Sequence, residues 1–208
     1  MAEKTRDADR SRRAILQAAT RLFAERGYDG ASLADVGAAA GLSRQTPAYF
    51  FGSKDKLYAA VLQELFAERE RELVPAFAPL IAWAKGDDDR PLKKVLGKAI
   101  DAYLDFLDAH PEFVSLTQRE AVDGGRRLTT TPHRSSVMED AFAALRKASR
   151  RRGLRAFDPQ EAVIAFVALT YFPAAHAQTL LPALGLAADR RARRAQALDV
   201  MLHLIERA

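Results

Sequence analysis

Gly41, Leu42 and Ser43 interrupt a helical pattern at a point that leaves few folds open to the chain. Just before them, Leu33, Val36 and Ala40 recur at helical spacing behind Ser32, whose side chain can cap a helix N-terminus. This spacing predicts a helix over 32–40. Gly41 ends it, because glycine enters the left-handed backbone region without steric cost. Leu42 plugs the turn, and Ser43 caps a second helix starting at Arg44. Phe51-Gly52-Ser53-Lys54 closes that helix and opens a third. Two short helices joined by so tight a turn form a helix-turn-helix, whose second helix fits the DNA major groove.

The residues around this turn carry a resemblance. The stretch 12–58, RRAILQAATRLFAERGYDGASLADVGAAAGLSRQTPAYFFGSKDKLY, resembles the N-terminal domain of the tetracycline-repressor (TetR) family of bacterial transcription regulators. The anchors are Ala18, Ala19, Leu22 and Phe23, then Gly27-Tyr28, Asp35-Val36, Gly41-Leu42-Ser43 and Phe51-Gly52-Ser53-Lys54. Beyond Tyr58 the likeness is one of length and helical layout only.

The chemistry of this head follows from its residue types. Arg44 can make a bidentate contact to guanine and Gln45 to adenine, each worth about 1–3 kcal/mol of base discrimination. Lys54 opens a helix whose free N–H groups already favour an anion. The resemblance implies the same Arg44 and Gln45 as base readers with Tyr49 as a third, and assigns Ser32, Thr46 and Lys54 to phosphates. Two positions depart from the family pattern. Pro47-Ala48 stands where the family has Leu-Tyr, so Tyr49 or Phe50 takes over that surface. Ala31 replaces a threonine that often binds phosphate.

A chain of 208 residues accommodates a head of about 50 residues and a larger domain of about 150. The expected division is 1–57 for DNA binding and 58–208 for effector binding and dimerisation. The formal charge of +5 permits a polyanionic partner without demanding one. Residues 1–57 hold ten basic and seven acidic side chains, so the DNA reading rests on the motif and not on bulk charge. With no cysteine, disulfides and thiolate metal sites are excluded. No metal or cofactor is expected. The N-terminus lacks the apolar stretch of a signal peptide, and the longest apolar run, 162–169, is far short of a membrane span. A cytoplasmic location is the expectation.

Helical periodicity runs along the whole chain, which predicts an all-α protein: a three-helix head joined through a fourth helix to a bundle. The first helix carries Ile15, Ala18, Ala19, Leu22 and Phe23 on one face and ends at Gly27. The fourth begins near Lys54 and stops around Pro75, followed by a short helix over 75–84 and a solvated loop at 86–89. Further helices are predicted over 91–109 and 111–122, broken by Gly124-Gly125. The segment 126–134 has no apolar period and reads as a mobile loop. A helix capped by Ser135 or Ser136 runs to Arg152, with Gly153 after its end. Another starts at Asp158-Pro159 and reaches Leu180 with Pro173 inside, and the last spans 189–206.

Ala162 to Leu169 is apolar on every face of a helix and so requires burial on all sides. The last helix adds Leu198, Met201, Leu202 and Ile205 beside a charged face of Arg190, Arg191, Arg193 and Arg194. The resemblance implies that these two helices form a four-helix bundle between two subunits. Otherwise they are core helices of a monomer. A two-fold dimer implies a roughly palindromic operator. The resemblance further implies an effector pocket in the middle of the chain. Its candidate lining is Trp83, Tyr103, Phe106, Phe113, Leu116, Phe142 and Phe166, with Gln118, His133 or His176 as polar contacts. That lining favours a small apolar or aromatic effector. The rival readings are a DNA-binding regulator without a ligand and a helical enzyme. His110, His133, His176 and His203 are scattered and form no HExxH, and there is no glycine-rich phosphate loop or GxSxG. The basic run 146–155 reads as a solvated helix end that offsets the helix dipole.

Overall fold

The computed structural model describes residues 2–130, 136–150, 154–186 and 189–206. The elements are α1 (Ala2–Arg26), α2 (Leu33–Ala39), α3 (Thr46–Phe51), α4 (Lys54–Lys85), α5 (Leu92–Ala109), α6 (Pro111–Val122), α7 (Arg126–Thr130), α8 (Ser136–Ala148), α9 (Pro159–Ala175), α10 (Leu180–Ala183) and α11 (Arg190–Ile205). Among the described residues the β pairing is a single bridge between Leu154 and Glu206. The protein is all-α, as its periodicity predicts. It forms two compact units, Met1–Ala67 with Glu112–His133, and Glu68–Pro111 with Arg134–Ala208.

The first unit closes over the apolar face of α1. Ile15, Ala18, Ala19, Leu22 and Phe23 are buried against Val36, Phe51, Leu57, Tyr58, Val61 and Leu116. Each large side chain buried there contributes about 1.5–3 kcal/mol. Gly27 ends α1 with φ +74, donating to the Phe23 carbonyl at 2.9 Å. Arg119 of α6 takes two carbonyls of the same helix end, Ala24 at 3.1 Å and Glu25 at 2.9 Å. Thus α6 is stitched to the head by backbone capping as well as by burial of Leu116.

α4 corrects the expected stop at Pro75. It is one helix of 32 residues that passes through Pro75 and Pro79. Each proline removes one N–H bond. The carbonyls left over belong to Arg71 and Pro75, both exposed residues, so water can satisfy them. The true terminus is Gly86, at φ +95, which donates to Trp83 while Asp87 donates to Ala82 at 2.9 Å.

Residues 126–130 are likewise helical and not a loop. Gly124 and Gly125 turn the chain with φ +75 and +67, and Leu128 of α7 packs on the first unit's core. A helix barely longer than one turn has room for a single core contact, so no apolar period could announce it. Residues 131–135, with His133 and Ser135, lie outside the described residues, as do 151–153 with Gly153.

In the second unit α5, α9 and α11 enclose Leu92, Val95, Leu96, Ile100, Leu104, Ala162, Leu198, Met201 and Ile205. The N-cap of α9 is as predicted, with Asp158 accepting from Gln160 at 2.6 Å, and α11 is capped in the same way by Asp189, which accepts from Ala192 at 2.8 Å. α8 stops at Ala148, where Ser149 turns its hydroxyl onto the Arg146 carbonyl at 3.1 Å. α9 ends at Ala175 and not at Leu180, two residues after Pro173 has removed an N–H bond. The arginine face of α11 is not simply solvated. Arg190 pairs with Asp105 at 2.5 Å, Arg193 with Asp108 at 3.5 Å, and Arg194 holds Asp101 through two N–H groups.

The expectation that 162–169 is buried on all sides fails within one chain. Ile164 is 67% and Val167 37% exposed, and Phe172 further along α9 is 46% exposed. The stripe Leu198, Met201 and Ile205 faces inward and covers only the other side of α9 and α5. Among the described residues no helix is long and apolar enough to cross a membrane.

Candidate nucleic-acid interface

The edge formed by α2, α3 and the start of α4 is set by short-range chemistry. Ser32 caps α2 in a reciprocal box: its hydroxyl accepts from the Asp35 N–H at 3.1 Å, and its own N–H donates to the Asp35 carboxylate at 3.0 Å. The Ser32 hydroxyl also donates to that carboxylate at 2.6 Å. These hydrogen bonds hold the Asp35 carboxyl below its usual range. Ser32 is therefore already engaged, and a phosphate would have to take its hydroxyl from an anion.

The turn is closed by Gly41 at φ +70, with the Leu42 N–H on the Gly37 carbonyl at 2.9 Å. Gly37 is the point of closest approach. A Cβ there would lie 2.6 Å from the Ser43 carbonyl oxygen, 3.0 Å from the Arg44 Cα and 3.2 Å from the Pro47 Cδ. No side chain fits between α2 and the reading turn.

α3 begins at Thr46, two residues later than predicted, and Pro47 is the reason. A helix capped by Ser43 needs an N–H at position 47 to reach the Ser43 carbonyl, and proline has none. That carbonyl instead accepts from Thr46 at 3.0 Å, and the helix opens with Tyr49 donating to Gln45 at 3.1 Å. The Ser43 and Thr46 hydroxyls meet at 2.7 Å. Arg44 and Gln45 accordingly occupy the turn ahead of α3, both exposed. Tyr49, four residues after Gln45, is 85% exposed, while Phe50 packs on the head core. Of the two aromatics expected to take over the missing tyrosine's surface, Tyr49 is the open one. Gly52 ends α3 at φ +78, and Ser53 caps the next helix by accepting from the Lys56 N–H at 3.2 Å.

Lys54 is held by an aromatic platform. Its ammonium sits 4.3 Å from the centre of the Tyr28 ring. Tyr28 donates to Asp55 at 2.5 Å, and burial together with that carboxylate pushes its phenol up to about 12. Ala31 is buried in the head core, where a threonine hydroxyl would be out of reach of a phosphate. Sequence reasoning missed Asp35, Gly37, Tyr28 and Arg12, whose guanidinium lies 5.1 Å from the Phe51 ring centre. The capping box was visible as Ser-x-x-Asp; the ring contacts had no linear signal.

The candidate effector residues divide between the units. In the second, Tyr103 packs on Phe166 at 5.5 Å and on Phe106 at 6.5 Å, and Phe77, not foreseen, meets Phe166 at 5.7 Å. Trp83 joins the same core, and Phe142 is half-buried on α8. Burial pushes the Tyr103 phenol up to about 12, and Arg69 nearby opposes this. His176 meets Phe172 at a tilt of 45°, with ring centres 4.3 Å apart. Phe113 and Leu116 belong to the first unit, where Phe113 meets Phe66 edge-on at 5.7 Å and Leu116 is fully buried. Gln118 lines an open recess of about 360 Å³ with Ala24, Ser115, Arg119, Val122 and Asp123.

Comparison with known proteins agrees with this geometry. Residues 15–61 match the family model described as bacterial regulatory proteins, tetR family. Residues 93–205 match the tetracyclin repressor-like C-terminal domain, which alone covers more than half of the chain. The HTH-type transcriptional repressor NicS of Pseudomonas putida is 26% identical over 182 residues, covering 85% of this chain and 82% of that repressor. The repressor AcnR of Corynebacterium efficiens is 44% identical over 54 residues, 26% of this chain and 29% of its own. Among solved structures, a TetR-like transcriptional regulator from Rhodococcus sp. RHA1 superposes with TM-score 0.65 at 20% identity, covering 93% of this chain and 94% of its own. SmeT, the repressor of the Stenotrophomonas maltophilia multidrug efflux pump SmeDEF, gives 0.62 at 22%, covering 94% and 90%. At these identities the solved structures speak for the fold alone.

Proposed function

From the premise that this chain belongs to the TetR family of bacterial regulatory proteins, we propose that it is a cytoplasmic, ligand-responsive repressor that binds a palindromic operator as a homodimer. That it is a DNA-binding transcription regulator follows from the family and from its repressor relatives. The observation that carries the finer reading is the presentation of Arg44, Gln45 and Tyr49 in the open, on a turn whose backbone is fixed by Gly37 and Pro47. In this reading Arg44 pairs with guanine, Gln45 with adenine, and Tyr49 covers the adjoining base. Thr46 and Lys54 hold phosphates. Ser32 does so only by leaving Asp35.

The exposed apolar residues Ile164, Val167 and Phe172 support the dimer, since a helix apolar all round needs a second surface to cover it. The effector is a small apolar or aromatic molecule received by the rings of the second unit. One that favours a displaced α4 lowers operator affinity, and linkage requires that DNA weaken effector binding by the same factor. A second reading, a regulator with no ligand, is favoured by the way Tyr103, Phe106, Phe77 and Phe166 pack on one another.

The test is selection of fragments from the source genome by the full chain, with footprinting of those retained. A two-fold site protected by the natural protein and not by Arg44→Ala, Gln45→Ala establishes the operator-binding dimer and the reading turn. Equal binding by both proteins removes the reading turn from recognition. Release of the selected fragment by one member of a library of small apolar compounds separates the ligand-responsive form from the ligand-independent one.

A further inference from the structure

Tyr28 carries two cations. Lys54 lies 4.3 Å from its ring centre and the guanidinium carbon of Arg127, on α7, lies 3.9 Å from the same point. Both cations therefore lie within cation–π reach of one ring, which also lies nearly parallel to the Phe23 ring at 6.2 Å. The ring edge meets Tyr58 at 5.2 Å and an interplanar angle of 89°, and its hydroxyl is tied to Asp55. Arg127 is fixed in turn. It reaches Asp123 at 3.2 Å and the fully buried Glu120 at 3.8 Å, and it also lies 5.6 Å from the Tyr58 ring centre. Glu120 accepts from the Tyr58 hydroxyl at 2.7 Å through one oxygen, and its other oxygen has no hydrogen-bond partner. Arg127 is thus the cation that compensates a buried acid while its flat face covers the phenol, a combination the guanidinium can make and an ammonium cannot.

We propose that Arg127 is a positioning residue for operator binding: it holds the Tyr28 ring and so fixes the Lys54 ammonium in place for a phosphate. The proposal rests on the reading of Lys54 as a phosphate contact. Lysine has a flexible stem that must be ordered when DNA binds. A ring fixed by its own contacts orders it beforehand, and preorganisation of this kind appears as affinity. The clamp comes from a residue more than seventy positions further along the chain, on the short helix that leads into 131–135.

Removing Arg127 alone would strand the Glu120 carboxylate, so Glu120→Gln is the reference background, its amide oxygen still able to accept from Tyr58. Arg127→Ala is added to it in the full chain, and both are measured by anisotropy on a fragment selected by the natural protein. The expected result is a loss of affinity of about 3–10-fold, the scale of one phosphate contact, with little change in melting temperature. In a Lys54→Ala background the same substitution should cause no further loss. Without DNA, the ε-methylene proton resonances of Lys54, displaced by the Tyr28 ring, should move to their free-chain positions in the Arg127→Ala protein. Full additivity with Lys54→Ala, or unmoved Lys54 resonances, overturns the proposal. A Lys54→Ala protein that binds as tightly as the natural one overturns it through the reading beneath it, and the resonances tell that failure from a failure of the clamp.

Discussion

Tyr28 in the first unit and Tyr103 in the second are both half-buried phenols pushed up to about 12, yet different forces hold them. Tyr28 packs on the rings of Phe23 and Tyr58 and adds directional contacts, a hydrogen bond to Asp55 and the cations of Lys54 and Arg127. Tyr103 is fixed by other rings, Phe106 and Phe166. Directional contacts favour one geometry and lose much of their energy when it changes. Ring packing is less exacting, and apolar cores accept repacking at modest cost. The surroundings of Tyr28 are therefore the more exacting, whereas the rings of the second unit can repack; under the proposed function, this would hold the reading edge in one geometry and leave the second unit free to admit a ligand.

The strongest way to break this contrast is at Gly37. A valine there meets backbone atoms at 2.6 and 3.0 Å, so α2 and the reading turn must part. Overpacking of that kind costs about 1–3 kcal/mol of stability. Displacing both Arg44 and Gln45 should weaken operator binding roughly 100-fold, since each base contact is worth about 1–3 kcal/mol. Chemical denaturation and a binding titration read the two effects separately. If Gly37→Val binds like the natural protein, the turn is not rigid and the contrast falls.

Next in size is a matched pair of ring truncations. Tyr28→Leu removes the Asp55 hydrogen bond and the platform of two cations, and should cost about 2 kcal/mol together with operator affinity. Phe166→Leu should cost about 1 kcal/mol and leave operator affinity unchanged, because its neighbours Tyr103 and Phe77 can close up. Equal losses of DNA binding in both would mean that the second unit is as exacting as the first.

The same contrast decides how much of the molecule was legible from sequence. At the turn every determinant lies between positions 32 and 52: the Ser32–Asp35 box, Gly41 at positive φ, Pro47 delaying α3, Gly52 ending it. Local rules read the Ser32 cap and the Gly41 stop, but missed the Asp35 half of the box and underestimated a proline's effect by two residues. In α4 the opposite error arose: a rule that stops helices at proline ignored that the carbonyls freed by Pro75 and Pro79 lie at exposed residues. The ring cluster joins Phe77 on α4, Tyr103 on α5 and Phe166 on α9, and no window of sequence holds them together. Phe113 meets Phe66 in the first unit, a pairing that residue type alone does not announce.

Alkaline titration sharpens the comparison further. A phenol whose folded value is raised adds stability that is complete below its ordinary value of 10 and is lost as pH rises toward 12. The denaturation midpoint should therefore fall between those limits, and less steeply in Tyr28→Phe and in Tyr103→Phe. Asp55→Asn should lower the Tyr28 phenol, whose shift owes something to that carboxylate, and leave Tyr103 where burial put it. If Asp55→Asn moves both phenols alike or neither, the two are not held by different forces.

The smallest expected effect is at Arg12. Its guanidinium lies 5.1 Å from the ring of Phe51, the last residue of α3, and its side chain is exposed. An exposed cation–π contact contributes about 0.5–1 kcal/mol, so Arg12→Ala should lower the unfolding free energy by no more than that. If the contact also steadies the C-terminal end of α3, operator affinity should fall about threefold, and Arg12→Lys, which keeps the charge over the ring, should restore most of it. A loss that Lys does not restore would show that the planar guanidinium itself is needed. No loss in either variant would confine the rigidity of the reading edge to Gly37, Pro47 and the capping box, leaving α1 as a passive support.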